Sequence, residues 1–283
     1  MTKTDRLRGA DEPPPGDADR AARLKALLAG FPTVAVAFSG GVDSTLLLKM
    51  AREVLGPERV LALTVRSAFF PAWEEEESRR LAEGMGIRQI VLTCEVLELP
   101  EVVANDPRRC FHCKQAIMAL CLEQAGRLGC AVLLDGSNRD DLGDYRPGSE
   151  ALRLLGVRSP LLEAGLTKQD IRRLSRELAL PTADKAAFAC LATRIPYGRR
   201  LTRENLAQVE TCEGFLHRQG LHNFRARHHG DTVRIELAEE DLPRLVENHR
   251  RAALVEVCKK AGFRYITLDL EGYRPGRMNE ELS

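Results

Sequence analysis

The sequence predicts an α/β protein, a three-layer parallel sheet followed by a small C-terminal α+β unit. Three observations carry this. The apolar runs "TVAVAF", "RVLALTV", "IRQIVLT" and "CAVLLDG" have strand length and are divided by stretches with helical spacing. Strands joined through helical crossovers pair in parallel, with helices on both faces. Beyond residue 200 the order changes to helix, strand, strand, helix, strand.

Each element follows from its local pattern. Residues 1–20 are polar and rich in Pro and Asp, and are expected to form a disordered tail. "AARLKALLAG" reads as a short amphipathic helix. "TVAVAF" is too apolar for a half-exposed strand and reads as buried. A helix over 43–55 follows, with Leu46, Leu47, Met50 and Val54 at helical spacing. "RVLALTV" is the second strand, "EEEESRRLAEGMG" a helix with a charged outer face, and "IRQIVLT" the third strand. A helix over 111–126 precedes "CAVLLDG", the fourth strand. Thr167 and Asp170 are spaced as a capping box, so "TKQDIRRLSRELAL" is a helix, and Pro181 follows its end. Residues 182–200 show no pattern, and unpatterned segments of that length are functional or disordered. Then come "TRENLAQVETCEGFLHRQG" as a helix, "FRARHHG" and "TVRIEL" as strands joined at Gly230–Asp231, a helix over 239–260, and the strand "YITLDL". The expected division is a first domain at 21–181, a linker at 182–200 and a second domain at 201–283.

Composition narrows the function. The 283 residues carry a formal net charge of +1, which gives no footprint for nucleic acid or an anionic membrane. No apolar run reaches transmembrane length and the N-terminus shows no signal-peptide core, so a cytoplasmic protein is expected. In a reducing compartment the eight cysteines need not be disulfides, and most are expected as small buried hydrophobes.

"VAFSGGVDSTLLLK" is a strand that breaks on two glycines and re-enters as a helix. Unpaired N–H groups at the helix start, with the amides of the turn, form an anion nest, and Ser39 and Ser44 add hydroxyls. Asp43 beside such a nest requires a cation. The pattern is neither Gly-x4-Gly-Lys-Ser/Thr nor GxGxxG. "SGGVDS" resembles the pyrophosphate loop of the N-type ATP pyrophosphatases. That resemblance implies a turn of Ser39, Gly40, Gly41, Val42, Asp43 and Ser44 around ATP, with Mg²⁺ held in part by Asp43. The first domain is then the ATP pyrophosphatase domain.

Cys110 and Cys113 in "RRCFHCKQ" are spaced to share a metal, and Cys113 near a helix start is expected to gain thiolate character from the dipole. His112 is poorly placed to join them, no second CxxC exists, and Cys121 and Cys130 read as core. Cys190, in the unpatterned segment, is left as a third thiol. Three thiolates can hold a 4Fe-4S cluster and leave one iron open.

"RCFHCK", "LDGSNRDDLGDYRPG", "RSPLLEAGLTKQDIRRLS" and "ACLATRIPYG" together resemble the LarE family, from about residue 20 to the end. These are ATP-dependent sulfur transferases of nickel-pincer nucleotide cofactor synthesis. The resemblance implies adenylation of the carboxylates of pyridinium-3,5-biscarboxylic acid mononucleotide and their conversion to thiocarboxylates. Cys190 matches the cysteine that some members sacrifice. Cys110 and Cys113 match the members with a cluster. Gly136, Ser137 and Asp141 are implied to face the site, and members assemble as homo-oligomers, hexamers among them.

Several residues keep two readings. Thr64 ends a strand where nucleotides are read, or is an ordinary β-former. Arg194 suits substrate carboxylate or phosphate. Arg225 and Arg227 share one strand face as phosphate ligands, or form a solvated basic strand with Arg234. Glu213 resembles a family carboxylate near the substrate, or is a helix-surface acid. Trp73 is a lid residue or a packing anchor, and His228 and His229 lack metal spacing. Two rival functions share the motifs: a tRNA-thiolating enzyme, and a non-catalytic nucleotide-binding module with structural zinc.

Overall fold

A computed structural model describes residues 17–143, 147–186 and 189–274. Four parallel strands form the first sheet: β1 (Val34–Ala37), β2 (Val60–Arg66), β3 (Arg88–Thr93) and β4 (Val132–Leu134), in the order β3-β2-β1-β4. Val34 pairs with Val60 on one side and Val132 on the other, and Leu61 pairs with Arg88. The period of two divides β1 between the layers. Val34 and Val36 face α1 (Asp17–Ala29), α2 (Val42–Leu55) and α8 (Lys168–Glu177). Ala35 faces α5 (Arg109–Arg127) and α6 (Pro147–Leu154), against Met118, Cys121 and Leu152. Helix α3 (Ala72–Gly84) joins β2 to β3.

The second sheet is β5 (Arg225–His229), β6 (Thr232–Glu236) and β7 (Tyr265–Leu268). Its first pair is antiparallel and its second parallel. Helices α9 (Arg203–Arg218) and α11 (Asn248–Lys260) pack on it around a separate core, where Ala226, Val233 and Ile235 are fully buried.

The structure corrects several boundaries. Helix α1 begins at Asp17, so the last four residues of the expected tail are helical, while 1–16 lie outside the described residues. Helix α5 begins at Arg109, which puts Cys110 on its first turn and Cys113 at the start of its second. The single helix expected over 239–260 is two, α10 (Leu242–Val246) and α11, separated by extended backbone at Glu247 (φ −51°, ψ 134°). Pro243 explains why α10 starts where it does, since proline removes a donor and clashes inside a helix; nothing in the sequence marks the break at Glu247. Three short helices were not expected: α4 (Pro100–Val103), α6 and α7 (Pro160–Glu163). The capping box at Thr167 is present, and a second sits at Thr202 with Asn205.

Residues 182–200 form one 3-10 turn, Leu191–Arg194, and otherwise no regular element among the described residues. The segment is nonetheless packed: Leu191, Ala192 and Ile195 are buried in the C-terminal core. Leu191 N donates to Phe69 O, Gly198 N to Asn105 O and Leu201 N to Val103 O. Cys121, Cys212 and Cys258 are buried, and the last two touch, Sγ to Sγ, at 3.1 Å. Burial pushes the Cys121 thiol up to about 12. Iodoacetamide at pH 8 should therefore leave these three unmodified in the native protein and reach all eight thiols only after unfolding, as counted by intact mass.

Candidate functional site

The site lies where strand order reverses, between β1 and β4 at their carboxyl ends, the usual ligand position of open α/β sheets. A cavity of about 830 Å³ opens there. One wall, expected to take the nucleotide, is the turn after β1. Gly40 adopts φ +71°, and a Cβ on it would stand 3.1 Å from Ser78 Cβ, so the position admits only glycine without strain. Gly41 caps α2, and Ser44 Oγ donates to Gly41 O at 3.2 Å. A Cβ on Gly136, in the loop after β4, would come within 3.1 Å of Ser44 N, an amide of the first helical turn. Gly136 thus keeps open the space over amides that have no helical acceptor. Gly136→Ala should weaken ATP binding about tenfold by calorimetry, given the ~1–3 kcal/mol typical of overpacking.

The cation that Asp43 requires is Lys168. Its Nζ donates to Asp43 Oδ1 at 2.6 Å, and Asn138 Nδ2 donates to the same oxygen at 3.2 Å. Lys168 is the first residue of α8, and its backbone N–H is held by Asp140 Oδ2 at 2.8 Å. A second lysine, Lys185, reaches the back of the turn. It donates to Glu74 and Glu77 at 2.7 Å each and to Gly40 O at 3.4 Å.

The sulfur-bearing wall is formed by Cys110 and Cys113 from α5 and Cys190 from the start of the 3-10 turn. The expected helix-dipole gain at Cys113 does not prevail. Burial, then the neighbouring Cys190 and Cys110, push its thiol up to about 12. Burial and Cys190 likewise raise Cys110. Desolvation outweighs the dipole because these thiols stand inside the cavity rather than at an exposed helix end.

The structure separates the expected substrate residues. Arg225 and Arg227 line the cavity and are buried, so the solvated-strand reading is overturned. Arg225 lies 4.7 Å over the Tyr273 ring and donates to its hydroxyl at 3.2 Å. Burial, then Arg194, lower its guanidinium to about 10. Arg227 makes a two-pronged bond to Glu236 and donates to Thr193 O at 2.9 Å. Arg194 and Glu213 do not reach the cavity. Both are fully buried, bonded to each other at 2.8 and 2.9 Å, with Arg194 also donating to Ala189 O, Cys190 O and Thr193 Oγ1. Glu213 accepts Ala226 N at 2.9 Å, which joins α9 to β5. The pair holds the Cys190 turn, and Glu213 is a buried acid rather than a surface one.

Other expectations sort as follows. Ser39, Asp43, Ser44, Gly136, Ser137 and Asp141 line the cavity; Val42 is a core residue. Thr64 also lines it, but its hydroxyl donates to Phe38 O and accepts from Gln89, both at 2.7 Å. Trp73 stacks on His217 at 5.3 Å and packs over Gly214, as an anchor between α3 and α9. Sequence reasoning missed Lys168, Asn138 and Arg109. All three lay inside quoted motifs without being given a role. Lys168 sat behind its more conspicuous capping neighbour.

Comparison with known proteins places this geometry. The NAD synthase family profile matches residues 23–107, which span the turn and the first three strands. An NH(3)-dependent NAD(+) synthetase of Methanosarcina acetivorans is 30% identical over 165 residues, 54% of this chain and 61% of that protein. An uncharacterized protein of Synechocystis is 39% identical over 248 residues, 88% of this chain and 92% of its own. A pyridinium-3,5-bisthiocarboxylic acid mononucleotide synthase of Lactiplantibacillus plantarum is 40% identical over 267 residues, covering 94% of this chain and 96% of that one. A likeness of that identity over nearly the whole of both chains shows that the protein belongs to the pyridinium-3,5-bisthiocarboxylic acid mononucleotide synthase (LarE) family.

Proposed function

We propose that the protein is an ATP-dependent sulfur transferase that converts the carboxylates of pyridinium-3,5-biscarboxylic acid mononucleotide to thiocarboxylates. The observation that carries this reading is that one cavity brings together the glycine turn, three thiols and the buried Arg225 and Arg227. A substrate carboxylate attacks the α-phosphorus of ATP, pyrophosphate leaves into the turn of Ser39–Ser44, and the acyl adenylate remains. Sulfur then attacks the acyl carbon, AMP departs, and a thiocarboxylate is formed. Arg225 and Arg227 bind the mononucleotide phosphate, Lys168 supplies positive charge to the triphosphate side, and Asp43 would hold Mg²⁺.

Cys110, Cys113 and Cys190 line one cavity. Three thiolates are a ligand set that would hold a 4Fe-4S cluster there and leave one iron open, which would carry sulfide. On the sacrificial route, Cys190 Sγ forms the thioester, loss of its α-proton breaks the Cβ–Sγ bond, and the residue becomes dehydroalanine. The proposal includes the division at 182–200, with the C-terminal unit serving substrate binding and assembly into a homo-oligomer. No helix among the described residues is long and apolar enough to cross a membrane.

Anaerobic turnover with ATP and the pyridinium dicarboxylate tests the reading. Product in excess of protein, with protein mass unchanged, is expected for cluster delivery. Loss of one H₂S from Cys190 would assign the sacrificial route. Failure to form AMP in the presence of that substrate would sink the function itself.

A further inference from the structure

We propose that Arg109 is a positioning residue of the thiol site, tying the helical turn of Cys110 and Cys113 to the loop of Cys190 and placing a positive charge beside them. The inference rests on the reading of those three cysteines as the sulfur site. Arg109 opens α5 and is 1% exposed, yet its side chain lines the cavity. One guanidinium nitrogen donates to Asn105 Oδ1 and to Ala192 O, two residues past Cys190. The other stands 3.8 Å from Cys110 Sγ, and the group lies 5.5 Å over the Tyr197 ring.

Asn105 extends the clamp. It is fully buried in the left-handed region, at φ 56°, and its Nδ2 donates to Pro196 O at 2.8 Å and Arg199 O at 2.9 Å. Arg109 grips the front of the 192–199 loop and Asn105 its end. The guanidinium reaches Asn105 and Ala192 through one nitrogen and Cys110 through the other, a spread that the single nitrogen of a lysine does not match.

The charge is the second part of the argument. Among the described residues no carboxylate lies within ion-pair distance of Arg109; its hydrogen-bond partners are an amide, a carbonyl and a thiol. A buried guanidinium with only neutral partners is costly, and a purely structural clamp would not need the charge. The nearest group of the cavity able to take a negative charge is sulfur, with Cys110 Sγ 3.8 Å from the guanidinium.

The test uses metal-free protein and dibromobimane, which fluoresces when two neighbouring thiols displace both bromides; peptide mapping identifies the pair. Wild type should cross-link Cys190 to Cys110 or Cys113. Arg109→Gln should lower that yield about tenfold, since catalytic groups respond steeply to ångström displacements. Arg109→Lys should lower it equally but recover more iron and acid-labile sulfide than Arg109→Gln after anaerobic reconstitution. ATP affinity by calorimetry reports that the nucleotide wall is folded. If Arg109→Gln does not fold, Asn105→Asp replaces it: the acceptor for Arg109 is kept, the donor to the loop carbonyls is lost, and the same fall is expected. Wild-type cross-linking in a folded variant would overturn the clamp, as would absence of the Cys190 cross-link in wild type. Equal iron loading in the Lys and Gln variants would overturn the charge. A wild type that transfers sulfur without iron would overturn the cluster reading alone, leaving the cross-link comparison to decide on Arg109.

Discussion

Cys190→Ala protein should still release pyrophosphate from ATP when given the pyridinium dicarboxylate, while thiocarboxylate formation falls at least about a thousandfold, the scale typical of losing a reacting group. The two activities separate because they occupy different walls of one cavity. Asp43, Lys168 and Gly136 gather at the turn after β1, and Cys190 belongs to a separate loop. The fold of that loop does not depend on the thiol. It is held through the Cys190 carbonyl, which accepts from Thr193 and Arg194 at 2.8 and 3.1 Å, and through Leu191 N on Phe69 O. Pyrophosphate release and product mass, measured on one sample, check the separation. Thiocarboxylate at the wild-type level would remove Cys190 from the chemistry. Cys110→Ala then divides the routes: cluster delivery requires its loss to match that of Cys190→Ala, whereas sacrificial delivery leaves one turnover intact.

The nucleotide wall was legible in the sequence because its chemistry is local. Gly40 and Gly41 sit next to the residues they serve, and β1 and α2 are marked by their own periodicity. Gly136 and Asp141 needed the family resemblance, since a polar turn rich in Asp and Gly has no single local meaning. The short helices α4, α6 and α7 were missed although each begins on a proline, which is a recognised helix start. Their four to eight residues carry too little periodicity to stand out.

The sulfur wall was legible only in its thiols. An arginine beside a catalytic cysteine reads equally as a substrate ligand or as a support, and sequence spacing cannot tell which way the side chain turns. Arg194 turns inward to Glu213, nineteen positions away, while Arg225 and Arg227 line the cavity. Arg109 was overlooked for the converse reason, because one more basic residue in "RRC" resembles a solvated face. A nearby partner, Asn105, and a distant one, Ala192, give it its place. The helix-dipole argument for Cys113 failed in the same way: it is a statement about a helix end in water, and this end is buried.

Arg194 and Glu213 support the strongest stability prediction. Their side chains are 0% exposed, so removing one member leaves the other as an uncompensated buried charge. Arg194→Met or Glu213→Leu should each cost about 3–5 kcal/mol, with the unfolding midpoint falling by about 10 °C. Joining the two substitutions removes both charges, and replacing a buried ion pair by apolar groups is often neutral. The double variant should therefore regain much of the lost midpoint, the energies being strongly non-additive. Activity should not return with it. Arg194 also donates to Ala189 O at 2.6 Å, to Cys190 O at 3.1 Å and to Thr193 Oγ1 at 2.8 Å, and no methionine supplies those bonds. Thermal melts beside single-turnover product yields make the comparison. Stability without sulfur transfer would show that the pair sets the aim of Cys190 as well as holding the core, whereas joint recovery would make Arg194 a structural residue whose nearness to Cys190 has no consequence for catalysis.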